Sequence, residues 1–148
     1  MTMLYKKKVH AYITREKEGV MQLLVFKHRD IHEAGIQVPG GTVNEGETLE
    51  AAILREVQEE SGLRHLCIER FLADYIIHMK EKQEYEKCHF FHVTLLTDVK
   101  DTWEHIVSAG EEDKGLVFCY EWVDIAKCPE LAGKQGEFLH LLDEVYAQ

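Results

Sequence analysis

The sequence predicts a single α+β domain, a mixed β-sheet packed between helices, and three observations carry that expectation. Two strand-like segments within residues 9–27 precede one helix, so strand and helix alternate instead of segregating. A second strand-like pair, 71–79 and 88–96, follows that helix, and apolar side chains in 138–146 recur at helical spacing. With 148 residues, 45% of them apolar and 30% charged, the chain can bury one core. No linker, internal repeat or low-complexity tract divides residues 1–148, so one domain is expected throughout.

Val9, Ala11 and Ile13 alternate with His10, Tyr12 and Thr14, the period of a half-buried strand. Residues 16–19 are polar, end in Gly19 and read as a hairpin turn, after which 21–27, MQLLVFK, is apolar enough for a central strand. The polar connection 28–34 follows. It holds His28 and His32 at a spacing that binds metal on a helix, but it lacks helical periodicity, so the pair is set aside. Arg29 beside them is an anion contact or a solvated loop charge.

Pro39 restrains Val38 to extended backbone, and Gly40 with Gly41 lets the chain bend closely against its neighbours. Thr48 is placed to cap a helix starting at Leu49, and Gly62 to close it. On that helix Leu49, Ile53 and Val57 form a core-facing row, with Glu60 projecting between Leu49 and Ile53 where a binary pattern would place an apolar residue.

Beyond the helix the two strand-like segments form a hairpin with a long polar tip, 80–87. Tyr75, His78, His89, Phe90 and His92 lie on it, read first as core and surface residues and second as contacts to a base. Residues 98–114 lose periodicity and gather acids, 115–123 resume as a strand, and Phe138, Leu141, Leu142, Val145 and Tyr146 mark a closing amphipathic helix.

Charge and composition narrow the function. A net charge of -10 excludes polymeric nucleic acid as a partner, because phosphate backbones are held by Lys and Arg. The 4 cysteines show no CxxC spacing, so reduced thiols in the cytoplasm are expected and a zinc site is not. No apolar run approaches a membrane span, and the basic start at Lys6 to Lys8 leads only into the alternating strand.

Glu56, Glu59 and Glu60 converge within an arc of roughly 100° on the helix. Each like-charge pair at this spacing costs a few tenths of a kcal/mol when exposed and more when desolvated, so a cation belongs among them. Hard oxygen donors at this density suit Mg²⁺ or Mn²⁺, whose shells are usually completed by substrate phosphates.

The spacing is more specific than the clustering. Gly41, Glu47, Arg55, Glu56, Val57, Glu59, Glu60, Gly62 and Leu63 match every fixed position of the Nudix box, and the chain resembles a MutT-like Nudix hydrolase. The resemblance implies the Nudix fold, an α/β/α sandwich with a mixed β-sheet. It implies cleavage by water of the pyrophosphate bond in a nucleoside diphosphate linked to another moiety, with a nucleoside triphosphate or derivative as the default small-molecule substrate. By the same resemblance Glu56, Glu59 and Glu60 hold Mg²⁺ or Mn²⁺, the Gly40 carbonyl joins the metal shell, and Arg55 pairs with Glu47 to fix the loop. Glu112, with Glu111 close behind, is the candidate acid outside the box, and the proton from water passes to an acid of the helix or of residues 111–113.

An alternative is a catalytically silent module that binds a nucleotide as a sensor or partner surface. Isomerase chemistry on an isoprenoid diphosphate also occurs in the superfamily, with no Cys or Glu pattern here to single it out. The proline that follows the box in many ADP-ribose enzymes is missing, since the only prolines are Pro39 and Pro129. A monomer and a homodimer are both compatible with the sequence.

Overall fold

The computed structural model describes residues 5–110 and 113–142. The chain runs β1 (Tyr5–Lys17), β2 (Val20–His28), β3 (Gly40–Thr42), α1 (Leu49–Ser61), β4 (Leu66–Met79), β5 (Glu84–Leu95), β6 (Thr102–Ile106) and β7 (Val117–Asp124), with short 3₁₀ turns at His32–Ala34 and Ile125–Lys127. The strands form one 7-stranded sheet in the order β4-β5-β1-β2-β7-β6, with β3 added beside β1. It is mixed. β1 and β5 run parallel from Tyr5 opposite Tyr85 to Thr14 opposite Thr94, and the other strand pairs are antiparallel.

One irregularity in the sheet positions the site. β1 and β2 pair only from Thr14 opposite Leu23 to Lys17 opposite Val20. Beyond that they separate, and the segment 37–42 fills the gap. Gln37 bridges to Phe26 on β2, while Gly40, Gly41 and Thr42 pair with His10, Val9 and Lys8 on β1. The two glycines are thereby held at the surface of the sheet, under α1.

The sheet separates two cores. Val9, Ala11, Ile13, Phe26, Phe118 and Tyr120 pack with Ile53 and Val57 of α1 on one face. Tyr12, Leu23, Val25, Val38 and Phe90 pack with Leu131 and Leu142 on the other. The alternation in β1 therefore divides two interiors and not an interior from solvent, which corrects the expectation of a half-buried strand. Its polar partners are satisfied internally: Thr14 hydrogen-bonds His92 at 2.8 Å, and the Tyr12 hydroxyl donates to the Gln135 carbonyl. A central strand with a parallel neighbour is covered on both faces, and this one obeys that rule.

Residues 128–142 cover the second face, mostly as turns, with only 140–142 helical among them. Of the row expected on a closing helix, Phe138 and Leu142 reach that core together with Leu139, which is not in the row, while Leu141 is not among its residues and Val145 and Tyr146 lie outside the described residues. The hairpin is tighter than its composition suggests. Glu84, Glu86 and Lys87 lie within the β4–β5 ladder, leaving residues 80–83 as the tip. β6 occupies part of the stretch expected to be irregular, with Trp103 and His105 half-buried between the exposed Thr102, Glu104 and Ile106. No helix among the described residues is long and apolar enough to cross a membrane.

Candidate active site

α1 begins where the Thr48 side chain accepts the Ala51 N–H at 3.1 Å, and it ends where Gly62 turns left-handed, φ 81°, donating to the Gln58 carbonyl at 2.9 Å. Both ends are capped as the sequence implies. Ala52, Ile53 and Val57 are fully buried, and Glu60 continues their face with only 5% of its surface exposed. A carboxylate thus occupies a core position.

Glu60 is anchored there twice. Its Oε1 accepts the Gly40 N–H at 3.0 Å, and its own carbonyl accepts the Tyr120 hydroxyl at 2.8 Å. Burial pushes its carboxyl well above the usual carboxylate range, the Gly40 hydrogen bond opposes this, and the charges of Glu56, Asp113 and Glu59 add to it. Glu56 is raised too, first by burial, with Arg55 pulling the other way. Its carboxylate lies against the Gly41 backbone so closely that a Cβ at Gly41 would overlap it. Only glycine fits.

Arg55 joins the loop to the helix. Nε and Nη2 donate to the two oxygens of Glu47, each at 2.8 Å, and Nη2 also donates to the Thr42 carbonyl at 2.9 Å. Nη1 reaches Glu56 at 2.9 Å and Glu59 at 3.3 Å. With the guanidinium and the Asn44 N–H both on it, the Glu47 carboxyl is held at about 2, and the Arg55 guanidinium is driven further toward its charged form. The planar fork of Arg is used in full here, which a Lys could not reproduce.

Arg55, Glu56, Glu59 and Glu60 line a cleft of about 450 Å³ that also takes in Lys6, Lys8 and Asp113. A second lobe of about 430 Å³ shares Lys8, Gly41, Glu60 and Asp113 with it and extends to Phe26, His28, Gln37 and Phe118. The first lobe is ionic, and the second adds the aromatic rings of Phe26, Phe118, His10 and His28 to a mixed polar and apolar lining. No three Asp, Glu, His or Cys side chains among the described residues already stand close enough to hold an ion together. Arg55 engages Glu56 and Glu59, and Glu60 faces Gly40.

A family model described as NUDIX domain matches residues 4–142. The chain belongs to the Nudix family. Among solved structures, a UDP-X diphosphatase superposes with a TM-score of 0.69 at 19% identity, covering 99% of this chain and 65% of that one, so this chain spans less than two thirds of its length. A MutT NUDIX hydrolase from Burkholderia pseudomallei gives 0.66 at 22% identity over 93% and 97% of the two chains. An Ap4A hydrolase from C. elegans gives 0.64 at 19% over 97% and 98%. At such identities the likeness is one of fold, and the mixed sheet with its few helices is the Nudix fold. A sequence comparison with curated proteins matched nothing.

On this Nudix chain Arg55, Glu56, Glu59 and Glu60 line the ionic lobe, Gly40 lines the second lobe with Glu60, and Glu47 lines neither but is tied to the site through Arg55. Glu111 and Glu112 lie outside the described residues, and Asp113 is the described acid of that loop in the cleft. Tyr75, His78, His89, Phe90 and His92 line neither lobe. Phe90, His89 and His92 are buried, Tyr75 packs in the second core, and His78 stacks on Tyr85 at 4.6 Å. His28 ends β2 with its ring 4.6 Å from that of Phe118, and His32 is exposed on a 3₁₀ turn, so no helical face joins them.

Sequence reasoning missed the three side chains that hold the C-terminus of α1, which are Trp103, His105 and Tyr120. It also missed the second lobe. The alternation of Trp103 and His105 with polar neighbours was the available signal for β6, but two inward residues in a strand of 5 are too few to register as a period.

Proposed function

We propose that this protein is a Mg²⁺- or Mn²⁺-dependent hydrolase that cuts the pyrophosphate bond of a nucleoside diphosphate linked to another moiety, with a nucleoside triphosphate or derivative as the default substrate. The observation that carries this reading is the burial of Glu60 beside Glu56, Glu59 and Asp113. An uncompensated carboxylate in such a place costs several kcal/mol in principle, and a divalent cation is the partner that removes the cost.

The donor set fits a hard cation: Glu56, Glu59 and Glu60 would hold it, together with the Gly40 carbonyl. Bound there, the ion would neutralise phosphate oxygens and acidify a water, the two obstacles to hydrolysing an anionic anhydride. An acid among Glu56, Glu59 and Glu60, or one of residues 111–113, would take the proton from water. Arg55 and Glu47 keep the 42–47 loop against α1, while Lys6 and Lys8, which line the same lobe, meet phosphates that do not react.

The second lobe supports a nucleoside at the other end of the substrate. The Nδ1 atoms of His10 and His28 are buried there without a hydrogen-bond partner among the described residues, and Gln37 offers an amide. Burial first, then nearby Lys8, holds the His10 imidazole down at about 4, so it is neutral at physiological pH and can both donate and accept. The protein acts on small nucleotides in the cytoplasm and not on nucleic acid polymers, in keeping with its acidity.

A panel of nucleoside triphosphates, sugar nucleotides, dinucleoside polyphosphates and ADP-ribose, each with Mg²⁺ and with Mn²⁺, tests the reading by release of phosphate and pyrophosphate. Turnover that disappears in chelator and in Glu59→Gln supports it. Tight nucleotide binding without turnover in either metal replaces it with the silent binding module.

A further inference from the structure

The last carbonyls of a helix have no partner within the helix and carry the negative end of its dipole. In α1 that end coincides with Glu59 and Glu60, so the acids sit where a carboxylate is least favoured. The structure answers this with donors from outside. The Glu59 carbonyl accepts His105 Nε2 at 3.0 Å and the Ser108 N–H at 3.3 Å. The Glu60 carbonyl accepts the Tyr120 hydroxyl at 2.8 Å, and the Ser61 carbonyl accepts Trp103 Nε1 at 3.0 Å.

The three side chains form one unit. Trp103 and Tyr120 are register partners on β6 and β7 with rings stacked at 4.9 Å and 10°, and His105 is two residues along β6 on the same side. Gly62 lies directly beneath His105, since a Cβ there would come within 3.1 Å of Nδ1. Because the Glu59 carbonyl can only accept, it is Nε2 that carries the donated proton. The unit therefore covers three successive carbonyls with three directed donors and leaves the carboxylates on the other side of the turn free to face the cleft.

We propose that Trp103, His105 and Tyr120 are positioning residues, a clamp that fixes the peptide planes of Glu59, Glu60 and Ser61 so that the two carboxylates receive a divalent cation. The inference rests on the reading that these carboxylates are cation ligands. Glu60 shows its consequence best: carbonyl on Tyr120 and carboxylate on Gly40, it is held at both ends of the residue. Groups that orient a metal ligand commonly change metal affinity or activity by about 10- to 100-fold when removed.

The test compares Tyr120→Phe, Trp103→Phe, His105→Leu and His105→Gln with Leu23→Ala, a truncation in the core on the opposite face of the sheet. Mn²⁺ affinity is measured by electron paramagnetic resonance without substrate, hydrogen exchange at the amides of α1 without metal, and kcat and KM on the best substrate of the parent. Tyr120→Phe and Trp103→Phe are expected to weaken Mn²⁺ binding about tenfold, to speed exchange in the last turn of α1 and to lower kcat with KM nearly unchanged. His105→Gln, which keeps an N–H donor, recovers Mn²⁺ affinity that His105→Leu loses. Leu23→Ala lowers thermal stability without these effects.

Clamp variants that bind Mn²⁺ as tightly as the parent, or no more weakly than a Leu23→Ala protein of equal stability, overturn the proposal while leaving the hydrolase reading intact. A parent protein that binds no Mn²⁺ overturns both.

Discussion

Arg55 and Glu47 meet in a two-point ion pair, both contacts at 2.8 Å, and the same guanidinium extends to Glu56 and Glu59. An isolated surface pair would contribute under about 1 kcal/mol, so the importance of this one lies in where it holds the loop and the acids. Arg55→Lys keeps the charge and loses the fork. Activity is expected to fall about 10- to 100-fold while the thermal midpoint moves little, as measured by initial rates and a melting curve.

Glu60→Gln separates stability from catalysis. The amide retains the shape and can still accept the Gly40 N–H, but it carries no charge into the buried position. The metal-free variant is expected to be as stable as the parent or more so in urea, and its turnover to fall by about 100-fold or more. A variant with parental rates would remove Glu60 from the reaction.

Stability of the metal-free chain is expected to peak on the acid side of neutrality. The folded value of Glu60 lies above 4.5, so the folded state holds that proton more tightly, and the contribution is full below about 4.5 and lost as pH rises through the raised value. Glu47 has the opposite sign. Its folded value of about 2 gives stability present above 4.5 and lost as pH falls toward 2. Urea midpoints from about pH 8 to pH 3 should therefore rise and then fall, and added Mn²⁺ should raise the alkaline side most, because the ion competes with the Glu60 proton.

Gly41→Ala places a methyl group into the Glu56 carboxylate. Moving that carboxylate breaks its contact with Arg55, so a stability loss of about 1–3 kcal/mol is expected together with loss of activity. Gly46→Ala provides the comparison. A Cβ there meets open space, and only the cost of its positive φ, 79°, remains.

The parts of this molecule legible in its sequence are those governed by local rules. Thr48, Gly62, the Leu49, Ile53 and Val57 face, and the Arg55 to Glu47 spacing act over one or two helical turns, so the sequence displays them directly. The helix-capping set of Trp103, His105 and Tyr120 depends on β6 pairing with β7 and on both packing under α1, a relation that no local pattern encodes. The burial of Tyr12 and Thr14 was hidden for a related reason. Their partners, Gln135 and His92, lie far along the chain, and polar tips in an alternating strand look like a wet face until those partners are known.

The one parallel pairing among the described strands, β1 with β5, has a consequence for how the chain assembles. The β1–β2 and β4–β5 hairpins close short loops and can form early, whereas aligning Tyr5 with Tyr85 must enclose everything between, α1 included. The helix α1 packs against β1 and β3, whose pairing closes a shorter loop, so the long closure completes the sheet beside a helix that can already be seated. Until that closure forms, the β1–β2 and β4–β5 hairpins expose strand edges with which a neighbouring chain could pair.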